Sequence, residues 1–365
     1  MRKASSPSVP ATWNWISLLL AILTGIASAQ GVFTATADRA EGATLENGET
    51  VLELSGNVTV TDGEVTVTAD SGAVWQQSEN ARFVGGVTVV SDSLTGTSDF
   101  LEYLKEAGVL TMTGHVVLSD GESVVEAGEV VYFRTSAKAT ARDSVVMTGP
   151  WIGLVTGEYA LYDRERGSLF ITVDPVLTRI ESGDSMTVTA DRLEFYPDDN
   201  YAEAQGSAVV DIPSRDLVST SEYLRYFGDE DRFELFGSPL LTTEDGELGG
   251  DWMEIVMAER DGPSEVRVEG GASGFFIDHG LEPPSETHFA SERAYFSMDG
   301  GKPDSVMLTG SARLTIRSGG EAASREEMNT VTGNTFVIKF DGGDATEVIV
   351  SGSVTGTFSY RSGSL

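Results

Sequence analysis

The stretch Ser98-Asp99-Phe100-Leu101-Glu102-Tyr103 is one copy of a six-residue pattern that recurs along the chain. The pattern reads small, acidic or polar, any residue, apolar, any residue, and finally a bulky apolar or aromatic residue. Nine copies occupy residues 69–74, 98–103, 127–132, 157–162, 190–195, 221–226, 250–255, 291–296 and 333–338. Because a period of roughly thirty residues is typical of stacked supersecondary units, the pattern predicts a repeat protein rather than a compact enzyme fold.

A run of alternating apolar residues accompanies each copy and passes through a glycine, as in Leu52–Val60 around Gly56. Apolar residues at every second position predict half-buried strands, and a glycine within a strand predicts a bend or a bulge. The glycine is missing once, in Phe170–Pro175. The other predicted bends lie at Gly86, Gly114, Gly149, Gly206, Gly237, Gly270, Gly310 and Gly352.

Asp-Gly pairs at 62–63, 120–121, 245–246 and 341–342 separate alternating runs and predict hairpin turns. Bent hairpins stacked in series predict an all-β fold, with two facing antiparallel sheets and an elongated shape. In the six-residue pattern, we expect the small residue at a crowded corner and the acid beside it in solvent. The fourth and sixth residues should point inward.

Composition excludes some classes of protein. The chain has 57 acidic and 24 basic side chains, a formal net charge of −33, which argues against nucleic-acid binding. It has no cysteine, so no disulfide can form. Residues 1–29 resemble a cleavable secretory signal, with Arg2 and Lys3, a short apolar run and Ala27-Ser28-Ala29. The alternative is a retained N-terminal anchor.

A search for catalytic chemistry finds no nucleophile, phosphate-binding or zinc motif, so we expect no enzyme, cofactor or metal. His279 and His288 flank Pro283-Pro284, which leaves a metal pair there as the alternative. The run Asp229-Glu230-Asp231 is interpreted as a solvated loop.

Three stretches, Gly56–Val60, Asp62-Gly63 and Val65–Asp70, together resemble the opening motif of the OstA-like repeat family. That family contains the lipopolysaccharide transport proteins LptA and LptC and the periplasmic part of LptD. The same cadence continues almost to the C-terminus. The resemblance implies an open β-jelly roll whose apolar groove carries the acyl chains of lipopolysaccharide across the periplasm.

The resemblance also implies two such domains in series, residues 30–175 and 176–365. The expected partners are lipopolysaccharide or another acylated lipid, other OstA-like jelly-roll proteins, and a second copy bound head to tail through the strand-like ends. The inward side chains proposed to line a lipid-binding groove are Leu101, Tyr103, Val130, Tyr132, Leu193, Phe195, Leu224, Tyr226, Met253, Ile255, Phe336 and Ile338.

Two other functions compete with a periplasmic lipid carrier. The first is a structural or adhesive surface protein, a β-solenoid whose core is filled by the same side chains. The second is a polysaccharide-modifying enzyme built on a β-scaffold, since acidic pairs are abundant in this chain. Whether space remains between the sheets decides between a groove and a filled core.

Overall fold

The computed structural model of the protein describes residues 34–61, 63–92, 94–150, 152–181, 184–258, 262–278, 285–299, 302–318, 327–341 and 344–357. The predicted signal, Asp62, Gly342, His279 and the loops around 281–284 and 319–321 lie outside these residues. Backbone contacts group the chain into two compact units. The first comprises residues up to 178 and 192–199, and the second comprises 179–191 and residues from 200 onward. Division into two domains at residue 175 stays a prediction, since contacts do not show that either unit folds independently.

The first unit is built from strands that pair antiparallel with their neighbours in sequence from β3 to β11. Strands β1 and β2 both pair with β3, and β14 pairs with β11. Its strands are β1 (Thr34–Thr36), β2 (Arg39–Thr44), β3 (Thr50–Thr61), β4 (Thr66–Trp75), β5 (Ala81–Val90), β6 (Thr95–Leu104), β7 (Val109–Ser119), β8 (Val124–Phe133), β9 (Lys138–Gly149), β10 (Gly153–Asp163), β11 (Ser168–Thr172), the start of β12 (Val176–Glu181), and β14 (Arg192–Tyr196), which is followed by a 3₁₀ turn, Pro197–Asp199.

Each long strand of the first unit is interrupted by a bulge. Between β3 and β4 the register shifts so that Gly56 and Asn57 lie opposite the single residue Asp70. Gly56 and Asn57 both have positive φ, 77° and 46°. A bulge of this kind bends the strand, and therefore the predicted glycine bends are confirmed here. The bulges divide the hairpins into two layers. We call the segments that carry pattern positions three to six, with their partners, layer A, and the segments beyond the bulge layer B.

The two layers of the first unit face each other across a closed apolar interior. Met112 lies in layer A, where it pairs with Leu101 and Val130, and Gly96 lies in layer B between Val89 and Leu118. A Cβ placed on Gly96 would lie 3.5 Å from the terminal carbon of Met112. The side chains of the two layers therefore meet in the interior, as in a packed core.

The second unit has the same antiparallel pairing, but several of its hairpin arms are shorter, separate strands. Gly237 and Gly270 lie between strands rather than within one, and Glu244 and Asp245 form a two-residue turn since Thr243 pairs with Gly246. Its strands are the end of β12, then β13 (Asp184–Thr189), β15 (Tyr201–Ile212), β16 (Leu217–Phe227), β17 (Arg232–Phe236), β18 (Leu240–Thr243), β19 (Gly246–Gly249), β20 (Trp252–Ala258), β21 (Gly262–Glu269), β22 (Ser273–Asp278), β23 (Ser285–Ala290), β24 (Arg293–Asp299), β25 (Lys302–Ser318), β26 (Glu327–Asp341), β27 (Asp344–Ser351) and β28 (Thr355–Thr357), with a 3₁₀ turn at Pro213–Arg215.

The layers of the second unit also meet. Phe289 on β23 belongs to layer B and Phe296 on β24 to layer A, and their ring centroids are 5.9 Å apart. The chain therefore has the all-β architecture of facing, bent hairpins that the sequence predicts. In the part of the chain that the structure describes, no helix is long and apolar enough to cross a membrane.

The outer face of layer A carries rows of arginine, glutamate and aromatic side chains that the sequence did not draw attention to. Arg232, for example, lies 4.1 Å from the ring centroid of Phe227 and forms ion pairs with Glu234 and Glu254. Cation–π and ion-pair contacts of this kind cover the backs of the strands and keep the outer face polar.

Candidate functional site

The acid at position two of the pattern packs on the bulge glycine of the next strand. In the pair Asp99 and Gly114, a Cβ on the glycine would lie 2.3 Å from Oδ2 of the aspartate. Gly114 has φ 78°, and Nδ1 of the following His115 lies 2.9 Å from the same carboxylate oxygen. The acid is exposed, as predicted, but it also fixes the corner between the layers. Equivalent contacts join Asp38 to Gly56, Asp70 to Gly85, Asp191 to Gly206, Glu222 to Gly237, Asp251 to Gly270, Glu292 to Gly310, and Asn334 to Gly352.

Two corners depart from this rule. The bend predicted at Gly149 is wrong, since Gly149 is the last residue of β9 and the bulge lies at Asp143 and Ser144, both with positive φ. At this corner the glycine and the acid have changed places: Gly128 stands at position two of the pattern, and the acid, Asp143, stands in the bulge. A Cβ on Gly128 would collide with Asp143, so the glycine leaves room for the acid. Where the glycine is missing altogether, Val173 takes its place with φ 64°. A β-branched residue in this conformation is strained, because its Cβ approaches the backbone.

The side chains proposed for the groove lie where the sequence places them, in the interior between the layers. Of the twelve, Tyr226 is half-buried and the other eleven are buried: Leu101, Tyr103, Val130, Tyr132, Leu193, Phe195, Leu224, Met253, Ile255, Phe336 and Ile338. Their burial is compatible with a filled core and with a groove that opens to admit a ligand. Their role in binding a lipid stays a prediction.

Three hairpin turns of the first unit, every second one along the chain, stack beside this interior. The turns 105–108, 134–137 and 164–167 are each closed by a hydrogen bond from the fourth amide to the first carbonyl. The amide of Arg134 donates to the carbonyl of Gly108 at 2.8 Å, and that of Arg164 donates to Ala137 at 3.1 Å. The first residue of every turn is basic, namely Lys105, Arg134 and Arg164. We call these three side chains the basic column.

Each member of the basic column follows a buried tyrosine by two residues. The tyrosines, Tyr103, Tyr132 and Tyr162, occupy position six of their copies of the pattern. The hydroxyls of Tyr103 and Tyr132 are buried and have no hydrogen-bond partner among the described residues. A buried hydroxyl without a partner lowers the stability of the fold by about 1–3 kcal/mol. Two such hydroxyls beside the basic column therefore call for an explanation. We call the basic column together with these two hydroxyls the rim.

The charges around these hydroxyls are mainly positive. Burial raises the pKa of Tyr132, and two cations, Arg164 and then Arg134, act against that shift. Burial likewise raises the pKa of Tyr103, opposed by Arg134 and Lys105. Lys105 forms an ion pair with Glu79, whereas Arg134 and Arg164 form no ion pair with a described carboxylate. Basic side chains therefore outnumber acidic ones among the groups that act on these two hydroxyls, in a chain of net charge −33.

The matching turn of the second unit has the opposite character. Tyr226 holds position six, but the turn that follows reads Gly228-Asp229-Glu230-Asp231. Its hydroxyl donates to Oδ1 of Asp231 at 3.1 Å. Burial, and next the Asp231 charge, raise the pKa of Tyr226 to about 12. The sequence prediction treated 229–231 only as a solvated loop and missed the basic column. The available signal was a basic residue two positions after three consecutive copies of the pattern.

The terminal strands of both units are exposed. In the first unit every residue of β2 is exposed and β1 is largely so, and both strands pair with β3. In the second unit β27 and β28 pair with β26, and Val348 and Ile349 are exposed. Edge strands of this kind can accept another strand by backbone pairing.

Neither described histidine lies in a metal cluster. His115 contacts Asp99, and His288 contacts Glu286 at 3.0 Å. Among the described residues no group of three His, Cys, Asp or Glu side chains could hold a metal ion. The pair that includes His279 lies outside the described residues and stays untested.

Comparison with known proteins gives a family match and several similar solved structures. Residues 36–138 match the model of the LptA/(LptD N-terminal domain) LPS transport protein family. The crystal structure of LptH, the LptA-homologous periplasmic component of the lipopolysaccharide transport device from Pseudomonas aeruginosa, is 15% identical. The match covers 33% of this chain and 95% of that one, with a TM-score of 0.29.

No curated protein matches the chain. The matched family is one of transport proteins, which agrees with the prediction that the chain is not an enzyme. The match begins before the first bent hairpin and ends after the third copy of the pattern, so it covers the motifs on which the resemblance rested. The resemblance is thereby confirmed for residues 36–138, which match the model of LptA-like and LptD N-terminal lipopolysaccharide transport domains.

Proposed function

We propose that the protein is a non-enzymatic carrier of lipopolysaccharide in the periplasm, part of a bridge toward the outer membrane. The observation that carries this proposal is the family match over residues 36–138, which coincides with bent hairpins whose apolar side chains face inward. Acyl chains would lie between layers A and B, against side chains such as Leu101 and Tyr132.

The packed interior sets a condition on this function. The terminal carbon of Met112 lies 3.5 Å from the point that a Cβ on Gly96 would occupy, and the side chains around it are buried. An acyl chain can therefore enter this part of the first unit only if the layers separate or the side chains move. Opening would exchange apolar packing between the layers for apolar packing against the acyl chain, so the packing lost would be offset by the packing gained. The carrier is consequently expected to bind lipid by opening a core that is closed in its absence.

The exposed terminal strands suggest how a bridge would form. Pairing of β2 or β1 in one molecule with β27 or β28 in another would be a head-to-tail contact, which extends without closing. The same edges could dock onto a jelly-roll partner protein. Both associations belong to the proposal and require the periplasmic location that the signal predicts.

A filled β-solenoid with a structural or adhesive role is the second candidate. It is favoured by the burial of eleven of the twelve proposed groove residues and by the close approach of Met112 to the opposite layer at Gly96. Under this alternative the interior never admits a ligand, and the exposed edges serve only for assembly.

Photocrosslinking distinguishes the two candidates. A p-benzoylphenylalanine would replace Tyr132, which is 0% exposed, or its outward-facing neighbour Phe133, which is 39% exposed. In cells that make lipopolysaccharide, the carrier predicts a lipopolysaccharide adduct from position 132 and none from position 133. Adducts from neither position, in a folded protein, would favour the filled core. Equal adducts from both positions would indicate adsorption to the surface and would also contradict the carrier.

A further inference from the structure

The basic column of the first unit has the composition of a headgroup site. Three cations lie at the first positions of stacked turns, and two buried hydroxyls with no partner among the described residues lie beside them. In the interior next to these hydroxyls the side chains are apolar, including Leu101, Leu110 and Val130. A ligand that satisfies every group must be apolar at one end and carry anionic oxygens close to that end.

We infer that this rim, formed by Lys105, Arg134, Arg164 and the hydroxyls of Tyr103 and Tyr132, binds the phosphate groups of the carried glycolipid. The inference rests on the proposed function and names the part of the lipid that is recognised. Phosphate oxygens would accept hydrogen bonds from the tyrosine hydroxyls and charge-assisted bonds from the guanidinium groups.

Arg134 is the centre of the site. Its charge acts on the ionisation of both hydroxyls, and it also comes close enough to the Tyr103 hydroxyl to favour the phenolate by hydrogen bonding. Neither hydroxyl has a partner of normal hydrogen-bond geometry among the described residues. The positive charges at the two ends of the basic column are partly compensated by nearby carboxylates. Lys105 pairs with Glu79, and near Arg164 the charges of Asp163 and Asp198 act on Tyr162. The strongest phosphate contact is therefore expected at Arg134, with Arg164 second.

The absence of this feature from the equivalent turn of the second unit supports a specific role. There Gly228 replaces the first cation, and Asp231 accepts the hydrogen bond of Tyr226. Arg179 also acts on the Tyr226 hydroxyl, but no cation stands at the first position of the turn that follows this tyrosine. The tyrosine at position six therefore does not need a basic residue at that turn position in order to fold. Since the fold tolerates the acidic turn, the basic turns of the first unit are better explained by an anionic ligand.

The test compares two lipids on the intact mature protein. The probes are lipid A with both phosphates and the same lipid after dephosphorylation, and binding is measured by fluorescence titration. Arg134→Gln combined with Arg164→Gln should weaken binding of the phosphorylated lipid about tenfold or more, because the variant removes two charge-assisted hydrogen bonds to phosphate. Binding of the dephosphorylated lipid should not change. Arg39→Gln, on the exposed strand β2 of the same unit, removes the same charge and is the matched control.

Tyr132→Phe separates binding from stability. The change removes a hydroxyl that has no partner among the described residues of the free protein, so the melting temperature should stay equal or rise. Affinity for the phosphorylated lipid should nevertheless fall several-fold. A purely structural role of the hydroxyl would instead lower the melting temperature and leave the preference between the two lipids unchanged, which would overturn the inference.

The remaining outcomes are also decisive. If the wild-type protein binds both lipids equally and the double variant has no effect, the phosphate site is wrong while the carrier function stands. If the wild type binds neither lipid, the carrier function fails and the phosphate site fails with it. If inorganic phosphate alone binds as tightly as the lipid and with the same dependence on Arg134, the site serves free phosphate, and assignment to a headgroup is overturned.

Discussion

Tyr132 and Tyr226 occupy the same position of the same repeat, one in each unit, yet their surroundings differ in charge. The hydroxyl of Tyr132 has no partner among the described residues, and two arginines act on it. The hydroxyl of Tyr226 donates to Asp231 in an acidic turn. The backbone places both rings in the same way, by antiparallel pairing of an inward-facing strand position. The residues of the following turn, which the fold leaves free to vary, determine what each rim can bind.

This difference shows which parts of the repeat serve the fold and which are available for function. The inward positions and the corner pair of acid and glycine recur in both units, because the bent hairpin requires them. The turn residues are solvated and bear little on the packing. A functional difference between the units is therefore expected in the turns, while the interiors should respond alike to the same change.

The largest expected effect tests whether the two interiors are equally dry. Leu101 and Met253 hold position four in the first and second unit, and both are fully buried. Leu101→Asp or Met253→Asp would bury a carboxylate among apolar side chains, which should lower the free energy of unfolding by several kcal/mol. Urea denaturation followed by circular dichroism measures the loss. Thr111→Asp, facing outward on the strand next to Leu101, is the control and should cost less than about 1 kcal/mol.

A variant that kept nearly normal stability would show that water reaches that interior. In that case the unit concerned holds an open groove even without lipid, and the closed core described above would be wrong for that unit. If the substitution lowered the free energy of unfolding strongly in one unit and weakly in the other, the lipid path would be assigned to the unit with the weak effect.

The corner should respond equally in both units. Gly114 and Gly237 have φ near 78°, and a Cβ on either would lie within 2.7 Å of Asp99 or Glu222. Gly114→Ala and Gly237→Ala should each cost about 2–4 kcal/mol, from backbone strain together with the collision. Thermal denaturation of the variants gives the comparison.

Two further glycines supply graded controls for the corner. Gly121 has φ 89° with nothing within 4 Å of its Cβ position, so Gly121→Ala should cost only the strain, about 1–2 kcal/mol. Gly42 has neither constraint, and Gly42→Ala should be neutral. If Gly114→Ala were as mild as Gly121→Ala, the contact with Asp99 would not define the corner.

The sequence predicted the strands, the inward positions and most bends, because each follows from local alternation or from a glycine that the backbone needs. It failed at Gly149, since the corner there uses Asp143 opposite Gly128. The pattern encodes a pair, one small residue and one acid in contact, and either strand can supply either member. A rule written for glycine in one strand could not recognise the exchange.

The basic column was missed for another reason. Lys105, Arg134 and Arg164 are about thirty residues apart in sequence, and the stacking of their turns brings them into one row. In a chain of net charge −33, single basic residues do not stand out until the repeat is aligned on its sixth position. That the hydroxyls of Tyr103 and Tyr132 find no partner among the described residues could be recognised only from the folded structure.

A smaller effect distinguishes the two tyrosines directly. Tyr226→Phe removes the hydrogen bond to Asp231 and should lower the free energy of unfolding by about 1 kcal/mol. Tyr132→Phe removes a hydroxyl that no described residue pairs with, so stability should be unchanged or higher. Both substitutions keep the aromatic ring. Urea denaturation of the two variants in parallel shows whether each one lowers or raises the free energy of unfolding. Equal losses would mean that the Tyr132 hydroxyl has a partner in solution.

The smallest expected effect is the pH dependence of the stability that the Tyr226 hydroxyl contributes. The pKa of Tyr226 is raised to about 12 in the folded protein, from about 10 in the unfolded chain, because burial and Asp231 disfavour the phenolate. The neutral phenol is therefore favoured by folding, and its contribution is fully present below pH 10 and lost as the pH rises toward 12. Since the side chain is only half-buried, solvent should limit this contribution to about 1 kcal/mol. Wild-type protein should thus lose more stability than Tyr226→Phe between pH 10 and 12, as measured by urea midpoints at each pH. Parallel curves for the two proteins would show that Asp231 and burial do not hold this proton, and the acidic rim of the second unit would then lose its contrast with the basic column of the first.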